Sequence, residues 1–125
     1  MDFSEPLPDA GIKVPIYATF TGLKGVPLLA LATNSYVPLL RLHEDRIDFK
    51  IIRSHSKTLD QIEYVSASSW RLAKNLEFAW KDTRFTLSAN VIREDWLIQV
   101  LYFLRRKNVV LAPRAEAFID KNRTV

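Results

Sequence analysis
The hydrophobic pattern changes period once along this chain, and that change constrains the fold more than any other feature. Before about residue 90, apolar side chains recur at every second position in short runs; over roughly 93–107 they recur every three to four. Period two belongs to a strand with one buried face, and a period near 3.6 to an amphipathic helix. The order predicts an α+β, mainly β chain. About seven antiparallel strands form a curved sheet or small barrel, capped by one C-terminal amphipathic helix near 93–107.

The strand runs are separated by turn chemistry. Residues 14–21 alternate, with Ile16, Ala18 and Phe20 on one side and Tyr17, Thr19 and Thr21 on the other, and Gly22-Leu23-Lys24-Gly25 supplies a turn. Residues 26–34 are apolar throughout and fit a buried strand or a helical segment equally, because periodicity does not separate the two. Residues 37–43 and 47–51 flank Glu44-Asp45 and make the clearest hairpin. The polar stretch 54–58 reads as a loop, 59–66 as a strand, and Ala67-Ser68-Ser69 as another loop. Leu76, Phe78 and Trp80 share one face of the next strand. After Lys81-Asp82, the last strand turns Phe85, Leu87 and Ala89 inward.

In the helix, Leu97, Val100, Leu101 and Leu104 form a stripe flanked by Trp96 and Phe103. Glu94 and Asp95 in the first turn and Arg105, Arg106 and Lys107 in the last complement the helix dipole. Asn90 is a candidate cap at the start and Asn108 at the end. Residues 1–13, with two prolines and three carboxylates, read as a flexible acidic arm. Residues 14–112 read as a single domain, and 113–125 as a polar tail in which Pro113 can open a weak helix.

Composition limits the functional classes. No cysteine is present, so disulfides and thiolate metal sites are ruled out and a reducing, cytoplasmic setting is expected. No apolar run approaches the ~20 residues of a membrane-spanning helix, and the start of the chain lacks the basic and apolar regions of a signal peptide. The net charge of +4 permits contact with anions but lacks the dense Lys/Arg stripe of a dedicated nucleic-acid binder. His43 and His55 are the only histidines, and His43-Glu44-Asp45 falls where turn residues belong, so no metal is expected. The serines fit no nucleophile elbow and the three glycines no phosphate loop. We therefore expect no enzymatic activity and no cofactor.

The segment Phe85–Leu104, FTLSANVIREDWLIQVLYFL, joins a last strand to a helix with Trp96 in its first turns. It resembles the C-terminal signature of pleckstrin-homology domains. The hairpin 39–52 and the segment Ile62-Glu63-Tyr64-Val65 are similar to bacterial pleckstrin-homology-like domains, and the likeness covers roughly residues 14–107. It implies a binding scaffold in which Trp96 plugs the open end of a seven-stranded barrel. In that family, phosphoinositide headgroups are held by several cations on the first hairpin and neighbouring loops. Here Lys24, the turn 43–46 and the turn 81–82 carry no net positive charge together, which departs from that pattern.

The remaining candidates are binding residues. Arg53, His55 and Lys57 share one predicted loop and form the candidate anion or partner site, with Trp70 and Arg71 as an exposed aromatic–cation pair. The expected function is a non-enzymatic binding or scaffolding module that recognises a protein partner, by strand addition at a sheet edge, or self-associates as a homo-oligomer. The alternative is a peripheral anionic-lipid or phosphate-binding module using Arg53, His55 and Lys57. A single-stranded nucleic-acid binder on a small barrel is the third reading, with Trp70, Trp80, Trp96 and Phe103 as stacking candidates; inward-facing Trp80 and Trp96 argue against it.

Overall fold
Alternation at positions 39–42 and 46–50 puts Leu40, Leu42, Ile47 and Phe49 on one face, and burying that face seeds the first sheet. A computed structural model describes residues 7–24, 32–34, 39–51, 53–70 and 73–121. Among the described residues the strands are β1 (Ile12–Lys13), β2 (Ile16–Leu23), β3 (Ala32–Asn34), β4 (Leu39–Leu42), β5 (Arg46–Lys50), β6 (Ser54–Thr58), β7 (Ile62–Trp70), β8 (Ala73–Trp80) and β9 (Phe85–Val91). Two helices follow, α1 (Glu94–Arg106) and α2 (Pro113–Lys121). The strands form two antiparallel sheets, ordered β1-β4-β5-β6 and β3-β2-β9-β8-β7. They do not close into one barrel.

The expected hairpin forms, with Leu40 opposite Phe49 and Leu42 opposite Ile47. Its turn is closed by His43 N–H donating to the Arg46 carbonyl at 2.9 Å. The chain passes between sheets at Val14-Pro15: β1 pairs with β4 in one sheet, and β2 with β9 in the other. The sheets are joined directly where Thr19 Oγ1 donates to the Lys50 carbonyl at 2.7 Å. Of residues 26–34, the described part, 32–34, is a strand paired with β2; residues 26–31 lie outside the described residues.

The core lies between the sheets and α1. Leu40, Leu42 and Ile47 belong to one buried cluster with Leu76, Phe78, Leu87 and Ala89, and Leu97, Val100, Leu101, Phe103 and Leu104 of α1 are fully enclosed. Four rings run in parallel from the second sheet to the rim of the first. Phe78 stacks on Trp80 at 5.6 Å, Trp80 on Phe49 at 5.4 Å, and Phe49 on His55 at 5.2 Å between centroids. The helix ends as its sequence requires: Asn108 takes a left-handed φ of 65°. Val109 N–H donates to the Leu104 carbonyl and Asn108 N–H to that of Arg105, both at 3.0 Å. This is the Schellman pattern, with Leu104 and Val109 as its buried apolar pair.

Several local expectations are corrected. A β-bulge at Tyr17 shifts the register of β2, so Thr19 and Thr21, rather than Ala18 and Phe20, oppose the inward Ala89 and Leu87. Phe85 shares the face of Leu87 and Ala89 but, at the start of β9, is 46% exposed rather than enclosed. Asn90 does not cap α1; it lies in β9 and its Nδ2 donates to Asn75 Oδ1, while Arg93 occupies the cap position. Residues 67–69 continue β7 instead of forming a loop. The N-terminal stretch is not a free arm from residue 7 onward, because Leu7 is buried and β1 pairs with β4. The stretch after 113 is not only a polar tail. In α2, Ala115 and Ile119 are fully buried, one turn apart, on the side that meets β7 and α1.

The face of the five-stranded sheet opposite to that of Leu76 and Phe78 holds Glu77 at its centre, directly across from Ser66 on β7 and Ser88 on β9. Burial pushes the Glu77 carboxyl above its usual range, and the charge of Arg114 opposes that only in part. A raised carboxyl disfavours its ionised form in the folded state, so stability is lost above this pKa and regained as pH falls through it. Glu77→Gln is therefore expected to raise the unfolding midpoint at pH 7. That advantage shrinks as pH approaches the ordinary glutamate value of 4.5, measured by thermal melts at both pH values.

Candidate functional site
A sheet without closure leaves edges, and an edge strand offers unpaired backbone groups to a partner. The four edges here differ. β3 and β1 are three and two residues long. The outer side of β7 is already occupied: Val65 bridges Leu111 in parallel, its N–H donates to the Val110 carbonyl and its carbonyl accepts from Ala112 N–H. β6 pairs only with β5 among the described residues, and four of its five side chains are exposed.

This strand replaces the loop expected at 54–58, and the site residues take their geometry from it. His55 opposes Phe49 and stacks on its ring. Lys57 opposes Ile47, lies 5.8 Å from the Trp80 ring centroid and pairs with Asp82 at 2.8 Å. Arg53 precedes the strand, is exposed, and has no ionic partner among the described residues. The structure thus brings Arg53, His55 and Lys57 together at one edge, but Asp82 already offsets the Lys57 charge. Trp70 ends β7, its backbone opposite Ala73; its side chain and the whole of Arg71 lie outside the described residues. Trp96 is half-buried at the margin of the core, so it is not the enclosed plug that the family resemblance implies; Phe103 is fully enclosed.

Register reveals a feature the sequence did not. Lys13 opposes Arg41, Arg41 opposes Asp48, and Asp48 opposes Ser56, so all four lie on the outer face of the four-stranded sheet. Arg46 and Lys50, two residues either side of Asp48, share that face and oppose Thr58 and Ser54. Four cations therefore stand around one carboxylate. Alternation within 46–50 already put Asp48 and Lys50 on a polar side, but grouping them with Lys13 and Arg41 requires knowing which strands pair.

Asp48 is the organising acid of this face. His43 Nε2 lies 2.8 Å from its Oδ2 and Arg46 Nε 3.4 Å from its Oδ1. Burial alone would raise its pKa, but hydrogen bonds from Ser56 and His43 and the charges of His43 and Arg46 together hold it below 3.8. A lowered carboxylate contributes stability that is present above the unfolded value and lost as pH falls through the folded one. Asp48→Asn is expected to flatten the acid limb of stability below about pH 4, read from denaturant midpoints across pH.

Other polar groups are engaged in local structure. Glu44 pairs with Lys107 at 3.0 Å and Asp45 with Arg46 at 3.6 Å, so the residues of His43-Glu44-Asp45 are held by three different partners. Lys24 pairs with Glu63 at 2.6 Å, and Arg105 with Glu116 at 3.4 Å. An open cleft of about 630 Å³ lies beyond the end of β6, lined by Glu44, Asp45, Asp60, Glu63, Lys81 and Lys107 among others. Among the described residues no helix is long and apolar enough to cross a membrane, and no group of three His, Cys, Asp or Glu is placed to hold a metal. The chain matches no protein-family model and no curated protein.

Proposed function
We propose that this chain is a non-enzymatic binding module, of pleckstrin-homology-like architecture, that recognises a protein partner by strand addition along β6. The observation that carries the reading is the contrast between edges: β7 is covered by residues 110–112 and α2, whereas β6 is unpaired on its outer side among the described residues. Strand addition needs an extended row of free backbone groups, and β6 offers five residues of it. Its side chains are serine, histidine, lysine and threonine, so the edge stays hydrated until a partner arrives. Two features support the architecture: the first long strand, β2, pairs with the last, β9, and a C-terminal helix packs on β8 and β9.

The reading is tested with extended peptides of about eight residues, the length of an ordinary strand. Backbone recognition predicts that methylating alternate peptide nitrogens on the pairing side weakens binding about tenfold or more, since each removes a ladder donor. Unchanged affinity for the methylated peptides contradicts strand addition. A second copy of the chain can use the same edge, and light scattering at rising concentration would then show a dimer. The anion-binding alternative keeps Arg53 as the one cation at this edge without an ionic partner among the described residues, and predicts instead that simple phosphate competes with the peptide.

A further inference from the structure
Resting on that reading, we infer that the partner strand is acidic, with two carboxylates four residues apart on the face it shares with Arg46 and Lys50. A strand added to β6 extends the four-stranded sheet, and every second side chain of it falls on the outer face. There it lies beside Ser54, Ser56 and Thr58. These are short side chains, so they leave open space between the added strand and the long cations of β5. Arg46 stands opposite Thr58 and Lys50 opposite Ser54. Two strand spacings, roughly 10 Å, separate those cations from the added backbone. The extended side chains of Arg or Lys and of Glu span that distance when they reach towards each other.

Charge on this face is unbalanced in the direction the inference requires. Asp48 is the one carboxylate carried by the strands of this face among the described residues, and Ser56, His43 and Arg46 engage it; at its margin Asp45 pairs with Arg46 at 3.6 Å and Asp60 accepts from Thr58 Oγ1. Lys13 and Lys50 have no ionic partner among the described residues, and Arg46, which meets Asp48 through Nε at 3.4 Å and Asp45 through Nη1 at 3.6 Å, keeps Nη2 for a further carboxylate. Thr58 and Ser54 are four residues apart, so the partner's carboxylates are set at the same interval. Spacing of four keeps both on one face of a strand; spacing of three puts them on opposite faces. The opposite face of the edge is a poorer acid site, because it carries fewer cations and its Lys57 pairs with Asp82.

The test uses three labelled peptides on one threonine–valine background: glutamates four apart, glutamates three apart, and glutamines four apart, each by fluorescence anisotropy at low and high salt. The inference predicts that the four-apart diacid binds about tenfold tighter than the glutamine peptide at low salt, with the gap closing as salt screens it. It also predicts that the three-apart diacid loses most of that advantage. Arg46→Glu with Lys50→Glu should reverse the preference towards a lysine peptide of the same spacing, and the milder Arg46→Gln with Lys50→Gln should level all three. Equal affinity for acidic and neutral peptides overturns the acidic inference while strand addition stands. Absence of binding by every peptide overturns both. Phosphatidylserine vesicles binding through Arg46 and Lys50 without any peptide binding would show the face to be a lipid surface, and overturn both as well.

Discussion
Phe103→Ala is expected to destabilise the fold by about 3–5 kcal/mol, the usual cost of deleting an enclosed aromatic side chain. Phe103 has no exposed surface and stands among Val100, Leu101 and Leu104, which are equally enclosed. Removing its ring leaves a cavity that the packed sheets and helix do not readily collapse into. Trp96 lies seven residues earlier, two turns back on the same flank of α1. It is only partly buried at the core margin, so Trp96→Ala should cost less than Phe103→Ala. Chemical denaturation of the two variants ranks them. A larger loss for Trp96→Ala would restore Trp96 as the plug and contradict the helix placement described above.

Gly11→Ala is expected to cost about 2–4 kcal/mol, from a left-handed backbone and an overfilled site together. Gly11 has a φ of 77°, and a Cβ there would sit 2.7 Å from the Leu42 carbonyl oxygen and 2.8 Å from His43 Cε1. Neither can yield easily: Leu42 is ladder-bound backbone, and the His43 ring is buried and held by Asp48. The glycine lets residues 8–11 turn tightly over His43, a turn closed by Gly11 N–H on the Pro8 carbonyl at 2.8 Å and tied by Arg41 to the Ala10 carbonyl. Ala10→Ser, at an exposed neighbour, is the control and should change the midpoint little. If Gly11→Ala matched that control, residues 7–13 would belong to the free arm that the prolines and carboxylates of residues 1–13 lead one to expect.

The elements legible in the sequence were those with repeated apolar contrast. The limits of α1 followed from its stripe, its charged ends and Asn108; the 39–50 hairpin followed from Leu40, Leu42, Ile47 and Phe49. What escaped notice had little contrast to offer. β6 is SHSKT, an edge strand with nothing apolar to alternate, so its polarity read as a loop. At 67–69, Ala67 alone is buried, and Ser68 and Ser69 fill the rest of that stretch. α2 anchors itself through only two fully buried side chains, Ala115 and Ile119, and the N-terminal stretch through Leu7 among prolines. The bulge at Tyr17 reversed the faces of β2 beyond it, which alternation alone cannot reveal.

The candidate site was half legible for the same reason. Arg53, His55 and Lys57 are neighbours in sequence, and they remain neighbours in space. Lys13, Arg41, Arg46 and Lys50 come from three strands, and only the pairing of those strands assembles their face. Their charges look ordinary one at a time; register makes them a patch around the single carboxylate of Asp48.

Residue-resolved amide hydrogen exchange, on the free chain and with the four-apart diacidic peptide bound, tests the β6 edge most directly. Strand addition predicts that outward amides within 54–58 exchange rapidly in the free chain and slow markedly on binding, while those of β7 near Val65 are protected in both states. Protection of 54–58 already complete in the free chain, or slowing on binding confined to other strands, would contradict it.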